Sequence, residues 1–584
     1  MCGIIGYIGK KQAAPILLDG LRRLEYRGYD SAGIITGPEF HLQKNIGKLD
    51  EINFDLDELK GNIGCGHTRW ATHGGVTKEN AHPHLSNNKK IAVVHNGIIE
   101  NYQELKEFLI SNGFTFYSQT DTEVIPNLIE YFMREKDFFE AAKLALEKLE
   151  GSYAIVALHR EEEKIIAARK DSPLVIGVGD NEYFVASDVP AFLEHTKKVI
   201  YLEEKDLVEI DDKIKIFNLN ENSFVKRPIN MIEWSLEQVK KGSFEHYMLK
   251  EITGQADSIN RAVEQDEKII KEIAEIMKKA RGIYLVACGS SYHSCLSAAY
   301  KFSTIAKMHV NVALASEFSN YKDFLIPDSL VIAVSQSGET ADVLGAVKSA
   351  KEKGAKIISI VNVLGSSLTR ESDKALMMNS GPEICVLSTK TYTSQLVILT
   401  LLAYTLAGRY EEGKRKLKDL VNYVYYLTSR NARNYIKILA KKLRNSEHIY
   451  TIGRGLQYPT ALEAALKIKE VSYIHAEGFA GGELKHGTIA LVEKETPCIV
   501  FSSKQTEKEI ISNAMELKAR GAYIIGVSPT NNEVFDFFVK VREAEEANSI
   551  CQIIPVQILA YQLAVLKGYD PDRPRNLAKS VTVK

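Results

Sequence analysis

The sequence predicts an α/β multidomain protein, a β-rich N-terminal domain followed by two copies of an α/β domain with parallel sheets. Three observations predict it. At 584 residues the chain is too long for one hydrophobic core. Its first 225 residues alternate short β-branched runs with helical stretches. The remainder carries an internal duplication. Ile283 opens IYLVACGSSY and Ile449 opens IYTIGRGLQY, while Leu330 opens LVIAVSQSGE and Pro497 opens PCIVFSSKQT. Each copy then reaches a Gly-Ala pair (Gly354-Ala355, Gly521-Ala522) and a further strand, with the offset holding at 166 to 167 residues.

In the N-terminal domain, residues 1–225, strands are expected at 4–8, 32–36, 91–95, 154–158 and 184–187, and helices at 14–24 and 103–111. Residues 226–275 lack a clean strand pattern and read as a linker leading into a helix. The copies occupy 276–410 and 443–568, and 569–584 form a C-terminal tail. Alternation of short β-branched runs with helices is the pattern of βαβ units, whose ligands sit beyond the C-terminal ends of the strands.

Composition narrows the function. Seventy-four basic against 75 acidic side chains leave a formal charge of -1, which does not suit a binder of nucleic acid. The seven cysteines form no CxxC pair, so neither a disulfide framework nor a thiolate zinc site is indicated, and a reducing compartment fits. No signal-peptide pattern opens the chain and no long uninterrupted apolar run follows, so a cytoplasmic protein without membrane association is expected.

Cys2 gives the first chemical lead. Removal of the initiator methionine leaves a thiol beside the chain's own α-amine, which titrates at about 7.7–8.0 and can serve as its base. Chance alone explains one such cysteine. Three segments add to it. Arg69, Thr72 and His73 lie in GHTRWATHG and suit an α-carboxylate. Asn96 and Gly97 follow the strand at 91–94, where an amide and a glycine N–H can form an oxyanion hole. Asp121 in TDTE offers a carboxylate for a substrate ammonium. Taken singly, these read as a surface arginine, a turn and a helix cap.

In this order the segments, with CGI at Cys2, YRGYDSAG from Tyr26 and NAHPH from Asn80, resemble the N-terminal-nucleophile (Ntn) glutaminase domains. The resemblance implies an αββα sandwich. It implies Cys2 as nucleophile, Asn96 and Gly97 as oxyanion hole, and Arg69, Thr72, His73 and Asp121 as glutamine binders. Trp70 resembles the family's mobile tryptophan, which gates ammonia. His67, His73, His82, His84 and His95 raise a metal site, but they lack nearby acidic or thiolate partners and the family uses no metal. No metal or other cofactor is expected.

In the first copy, Ser335, Gln336, Ser337 and Thr340 follow an apolar strand and precede a helix, where hydroxyls and N–H groups suit a phosphate dianion. The plainer reading is a capped helix. The second copy has SSKQT at this point, so the phosphate is expected in the first. A helix beginning near Thr460 carries Glu463, Lys467 and Glu470 on one face. That face reads as a solvated salt-bridge surface or as an acid–base group for moving a proton between sugar carbons. His486, in a glycine-flanked loop, is a candidate for opening a cyclic hemiketal.

This half resembles the sugar-isomerase (SIS) fold in tandem, and the whole chain resembles the isomerizing glutamine–fructose-6-phosphate aminotransferases, which open the hexosamine pathway. The resemblance implies that Ser290, Ser291, Ser335, Gln336, Ser337, Thr340, Val386, Ser388 and Ala578 bind the sugar phosphate. It implies Glu470 as isomerase base with Lys467 and Glu463 in support, His486 as ring-opening residue, and Lys579 as Schiff-base lysine on a tail entering the sugar site. L-glutamine and D-fructose 6-phosphate are the implied substrates, and a homodimer with shared sites the implied assembly. Ser290, Leu387 and Thr488 depart from the family pattern, and Leu387 adds bulk beside the sugar site. The PRPP loop of a phosphoribosyl amidotransferase and the SGGxDS loop of an asparagine synthetase do not occur. A sugar-phosphate-sensing regulator would need neither Cys2 nor Lys579.

Overall fold

Alternation along the strand Ile91–Ile99 sets the layers of the first unit. Ile91 and Val93 join an apolar cluster with Leu105, Leu109, Leu128 and Ile129 from the helices Tyr102–Ser111 and Val124–Phe132. Ala92 and Val94 join a second cluster with Ile4, Ile35, Cys65 and Val185 of a facing sheet. The two antiparallel sheets have seven and eight strands. The helix Ala13–Leu24 covers the eight-stranded sheet, burying Leu17, Leu21 and Leu24. The result is an αββα sandwich.

The computed structural model describes residues 2–71, 73–232 and 236–582. They divide into two compact units, one running to Leu236 and joined by the described residues from Ala578 onward, the other Glu237–Leu577. Two expectations need correction. The strand expected to end before Asn96 continues to Ile99, pairing Asn96 with Ala154 and Gly97 with Tyr153. The segment read as a linker from residue 226 supplies Ile229–Met231 as an edge strand against Lys198–Tyr201. Three residues are too short for a period-2 pattern to register.

In the second unit both copies build a five-stranded parallel sheet in the same order. The first runs Asn311–Leu314, Gly282–Ala287, Ser329–Ser335, Lys356–Val361 and Lys374–Met377. The second runs His475–Ala480, His448–Gly453, Pro497–Phe501, Tyr523–Ser528 and Phe537–Lys540. In each, the chain leaves the first strand to one side and returns on the other, so a topological switch point lies at its C-terminal end. Each copy closes with a helix that is apolar nearly all round and therefore buried, Lys390–Leu406 and Asn548–Leu566. The segment Glu545–Leu566 has the length and composition of a membrane span, but 83% of its apolar window lies inside this unit. Residues 411–427 and 430–442, outside both expected copies, belong to the helices Tyr410–Leu427 and Arg430–Leu443, whose Leu420, Val424, Leu439 and Leu443 enter the same core.

The tail does not behave as one segment. Asp572 accepts the Tyr247 and Met248 N–H groups at 2.8 and 2.7 Å, and the Arg575 N–H donates to Tyr473 Oη at 2.8 Å, all within the second unit. Beyond Leu577 the chain belongs to the first unit.

Candidate active sites

Cys2 precedes the strand Gly3–Ile8 and lines a pocket with Arg69, Trp70, His73, Asn96, Gly97 and Asp121. Its Sγ accepts the Trp70 N–H at 3.3 Å, and its carbonyl accepts Asn96 Nδ2 at 2.9 Å. Burial pushes the thiol above its ordinary value, while the Trp70 N–H and the Arg69 charge oppose that shift. A thiol held protonated needs a base.

None of the plainer readings of this site describes what the side chains do. Arg69 is buried, not on the surface, and its guanidinium donates to the carbonyls of His73 at 2.5 Å and of Gly74 and Gly75 at 3.1 Å. Burial lowers its pKa. Asp121 caps no helix; its Oδ2 accepts the Ile99 N–H at 2.8 Å. Asn96-Gly97 is a strand segment, not a turn. Gly97 takes φ +129°, and a Cβ there would lie 2.0 Å from the Ser152 carbonyl oxygen, so no other residue fits. His73 packs edge-on against Tyr102, ring centroids 4.7 Å apart. Thr72 lies outside the described residues. The tail residue Thr582 also lines this pocket.

Four further histidines cluster at the pocket, two of which, His82 and His95, line it. The rings of His67 and His82 stack at 4.1 Å, and His84 meets His82 edge-on at 4.7 Å. His84 reaches Thr120 Oγ1 and His95 reaches Thr122 Oγ1. Burial lowers all four pKa values, His67 to about 3. Among the described residues no three His, Cys, Asp or Glu side chains are grouped to hold a metal ion.

In the second unit, the loop from Ser335 to Thr340 and the start of the helix Gly289–Ala306, carrying Ser290 and Ser291, flank the first copy's switch point. Thr340 stands at the N-cap of the helix Ala341–Glu352, yet its hydroxyl pairs with Ser335 Oγ at 3.0 Å in place of capping. The Gly338 N–H donates to Ser335 Oγ at 3.1 Å and the Glu339 N–H to Ser337 Oγ at 3.2 Å. Gly338 has φ +68° and would set a Cβ 2.1 Å from Ser366 Oγ. The Gln336 carbonyl accepts the Asn362 N–H. The Val386 N–H donates to the Asp572 carbonyl, and Ser388 Oγ lies 2.7 Å from Thr391 Oγ1. In the second copy Gln457 stands in the position of Ser291, and its Oε1 accepts Ser503 Oγ at 3.1 Å and Thr506 Oγ1 at 3.3 Å. That loop is filled from within.

The helix Tyr458–Ser472 settles the reading of its charged face. Glu463 and Lys467 are buried, so the face is not solvated. Lys467 Nζ lies 2.6 Å from Glu470 Oε2 and 3.5 Å from Glu463 Oε1. Burial alone would lower the Lys467 pKa, but the charges of Glu470 and Glu463 outweigh it and hold the ammonium above its ordinary value. His486 is exposed, ending the short helix Gly481–His486. Lys579 and Ala578 are half-buried, on a stretch of tail without regular secondary structure. Leu387, expected beside the sugar, is a residue of the central apolar core.

Sequence reasoning missed the groups that hold these loops. Glu383 Oε1 accepts the Thr389 and Thr391 N–H groups, and Glu251 Oε1 accepts those of Ile384 and Cys385. Gln395 donates to Ser291 Oγ at 2.9 Å. His293 Nδ1 meets Glu463 Oε2 at 2.8 Å. Apart from Glu383, six and eight residues from its partners, each lies about a hundred residues or more away in sequence, and neither pattern nor spacing marks it.

Fold and sites together define a glutamine amidotransferase domain joined to two SIS domains. Family models agree, matching a glutamine amidotransferase domain at 67–194 and SIS domains at 276–405 and 442–567. Glutamine–fructose-6-phosphate aminotransferases [isomerizing] of Pyrococcus horikoshii and Thermococcus kodakarensis are 47% and 46% identical to this chain over the full length of both partners. A solved C-terminal domain of the Francisella tularensis enzyme is 33% identical, covers 57% of this chain and all of its own, and has a TM-score of 0.52. The chain belongs to the glutamine–fructose-6-phosphate aminotransferase (isomerizing) family. Its two kinds of domain imply glutamine and a phosphosugar as substrates.

Proposed function

We propose that this chain hydrolyses glutamine at Cys2, passes ammonia internally to fructose 6-phosphate, and isomerises the product to glucosamine 6-phosphate. The carrying observation is the pocket that gathers Cys2, Arg69, His73, Asn96, Gly97 and Asp121 from separate strands and loops. After methionine removal the α-amine takes the Cys2 proton as sulfur attacks the glutamine amide carbon. Asn96 Nδ2 and the Gly97 N–H receive the oxyanion. Ammonia leaves with that proton and water cleaves the thioester to glutamate. Arg69 holds the α-carboxylate, Asp121 the ammonium, with Thr72 and His73 beside them, and Trp70 gates ammonia.

Ser290, Ser291, Ser335, Gln336, Ser337, Thr340, Val386 and Ser388 of the second unit hold the sugar phosphate, with Ala578 of the tail. The internally filled loop of the second copy supports placing phosphate in the first. His486 opens the ring, Lys579 forms an imine with the ketone, and Glu470, oriented by Lys467 and Glu463, moves the proton between C1 and C2. An exposed His486 is in keeping with a homodimer in which each histidine serves the partner's site. The protein acts in the cytoplasm without membrane, nucleic acid or cofactor. The glutaminase domain is taken as 1–225 extended by the edge strand Ile229–Met231, and the copies as 276–410 and 443–568.

Reciprocal variants test the assignment. Cys2→Ala should abolish glutamine hydrolysis and spare proton exchange at the sugar carbons, and Glu470→Gln should do the reverse. Hydrolysis persisting in Cys2→Ala, or sugar-carbon exchange in D2O persisting in Glu470→Gln, overturns the corresponding site.

A further inference from the structure

His67 stands on the strand Ile63–Arg69 of one sheet and reaches across the sandwich to the strand Ile91–Ile99 of the other. Its Nε2 lies 3.1 Å from the His95 carbonyl oxygen and 3.0 Å from Asn96 Oδ1. The first partner can only accept, so Nε2 carries the hydrogen. The atom Asn96 presents to it must then also be an acceptor. With the amide turned over, two N–H groups would face each other, or the buried bond to His95 would be lost. His67, whose own protonation is dictated by the backbone, thus fixes the amide orientation from one side, as the Cys2 carbonyl does from the other.

That orientation points Asn96 Nδ2 at Cys2, where one of its hydrogens meets the Cys2 carbonyl at 2.9 Å and the second is left for a ligand. The surroundings keep His67 in this state. It is fully buried and its pKa falls to about 3, so the ring stays neutral with one N–H. His82 stacks on it, and His82 Nδ1 accepts the His95 N–H at 3.3 Å, fixing the second ring.

We propose that His67 is a positioning residue for the glutaminase reaction, locking the Asn96 amide with Nδ2 toward the oxyanion. This rests on the Cys2 reading above. Nothing in it requires His67 to touch glutamine, so its loss should raise the barrier without weakening substrate binding.

The test uses the full-length enzyme and glutamine hydrolysis. His67→Phe removes the donor and should lower kcat by about 10²-fold with KM within about threefold, the size expected for losing one oxyanion donor. His67→Gln restores an N–H near the Nε2 position and should recover at least tenfold of that loss. In an Asn96→Ala background the His67→Phe change should cost less than about threefold, because the group it positions is gone. Alkylation of Cys2 by iodoacetamide forms no oxyanion and should proceed at an unchanged rate. Equal losses in His67→Phe and His67→Gln, a full loss in the Asn96→Ala background, or a parallel fall in alkylation would overturn the proposal. If His67→Phe does not fold, the His67→Gln and Asn96→Ala variants and their double mutant carry the same comparison. Hydrolysis surviving Cys2→Ala would instead remove the reading on which the proposal rests.

Discussion

His293 Nδ1 lies 2.8 Å from Glu463 Oε2, tying the first copy's helix Gly289–Ala306 to the second copy's helix Tyr458–Ser472. Glu463 is wholly buried and its other oxygen lies 3.5 Å from Lys467, which holds Glu470. The expected base is thus braced from the opposite copy. Replacing His293 by Phe leaves a buried carboxylate short of one partner, which costs about 1–3 kcal/mol. The variant should shift the urea midpoint of the second unit accordingly and slow proton exchange on the sugar, with glutamine hydrolysis retained. An unchanged midpoint and exchange rate would mean the contact carries nothing.

Lys579 should form an imine with the open-chain ketose phosphate. Borohydride added with fructose 6-phosphate should trap the adduct on the C-terminal peptide, and Lys579→Arg should lose synthesis because a guanidinium is too weak a nucleophile. An adduct on any other lysine, or full synthesis in Lys579→Arg, would exclude it.

The buried histidines make the first unit sensitive to acid. Burial holds His67 at about 3 and keeps His82, His84 and His95 below the ordinary imidazole value. In the unfolded chain all four titrate near 6.5, about the ordinary value. Below that pH the unfolded state binds more protons than the folded one. Stability that is complete above it therefore falls as pH drops toward the folded values, by up to about 1.4 kcal/mol per pH unit for a histidine that stays neutral, as His67 does. Urea unfolding read from Trp70, in a Trp234→Phe background, should show a clearly lower midpoint at pH 5.5 than at pH 7.5. Equal midpoints would mean these rings do not stay neutral.

What was legible in the sequence was local or repeated. The duplication survives because both copies keep the same strand order, and the Cys2 set is readable because each segment carries its own residue pattern. Long-range pairings were not legible. His293 and Glu463 are 170 residues apart, and Glu251 meets the loop at Ile384 and Cys385 across more than 130. The spacing of Glu463, Lys467 and Glu470 is the same on a wet face as on a buried one, so burial had to come from the packing. The division of the tail after Leu577 also left no mark in the sequence.

The central claim is that one chain moves the glutamine amide nitrogen onto a ketose phosphate. Incubating the enzyme with amide-¹⁵N glutamine, fructose 6-phosphate and an excess of unlabelled ammonium tests it most directly. Glucosamine 6-phosphate carrying ¹⁵N is the expected main product by mass. Glutamate and free ¹⁵N-ammonium with unlabelled sugar product, or with no amino sugar at all, would contradict it.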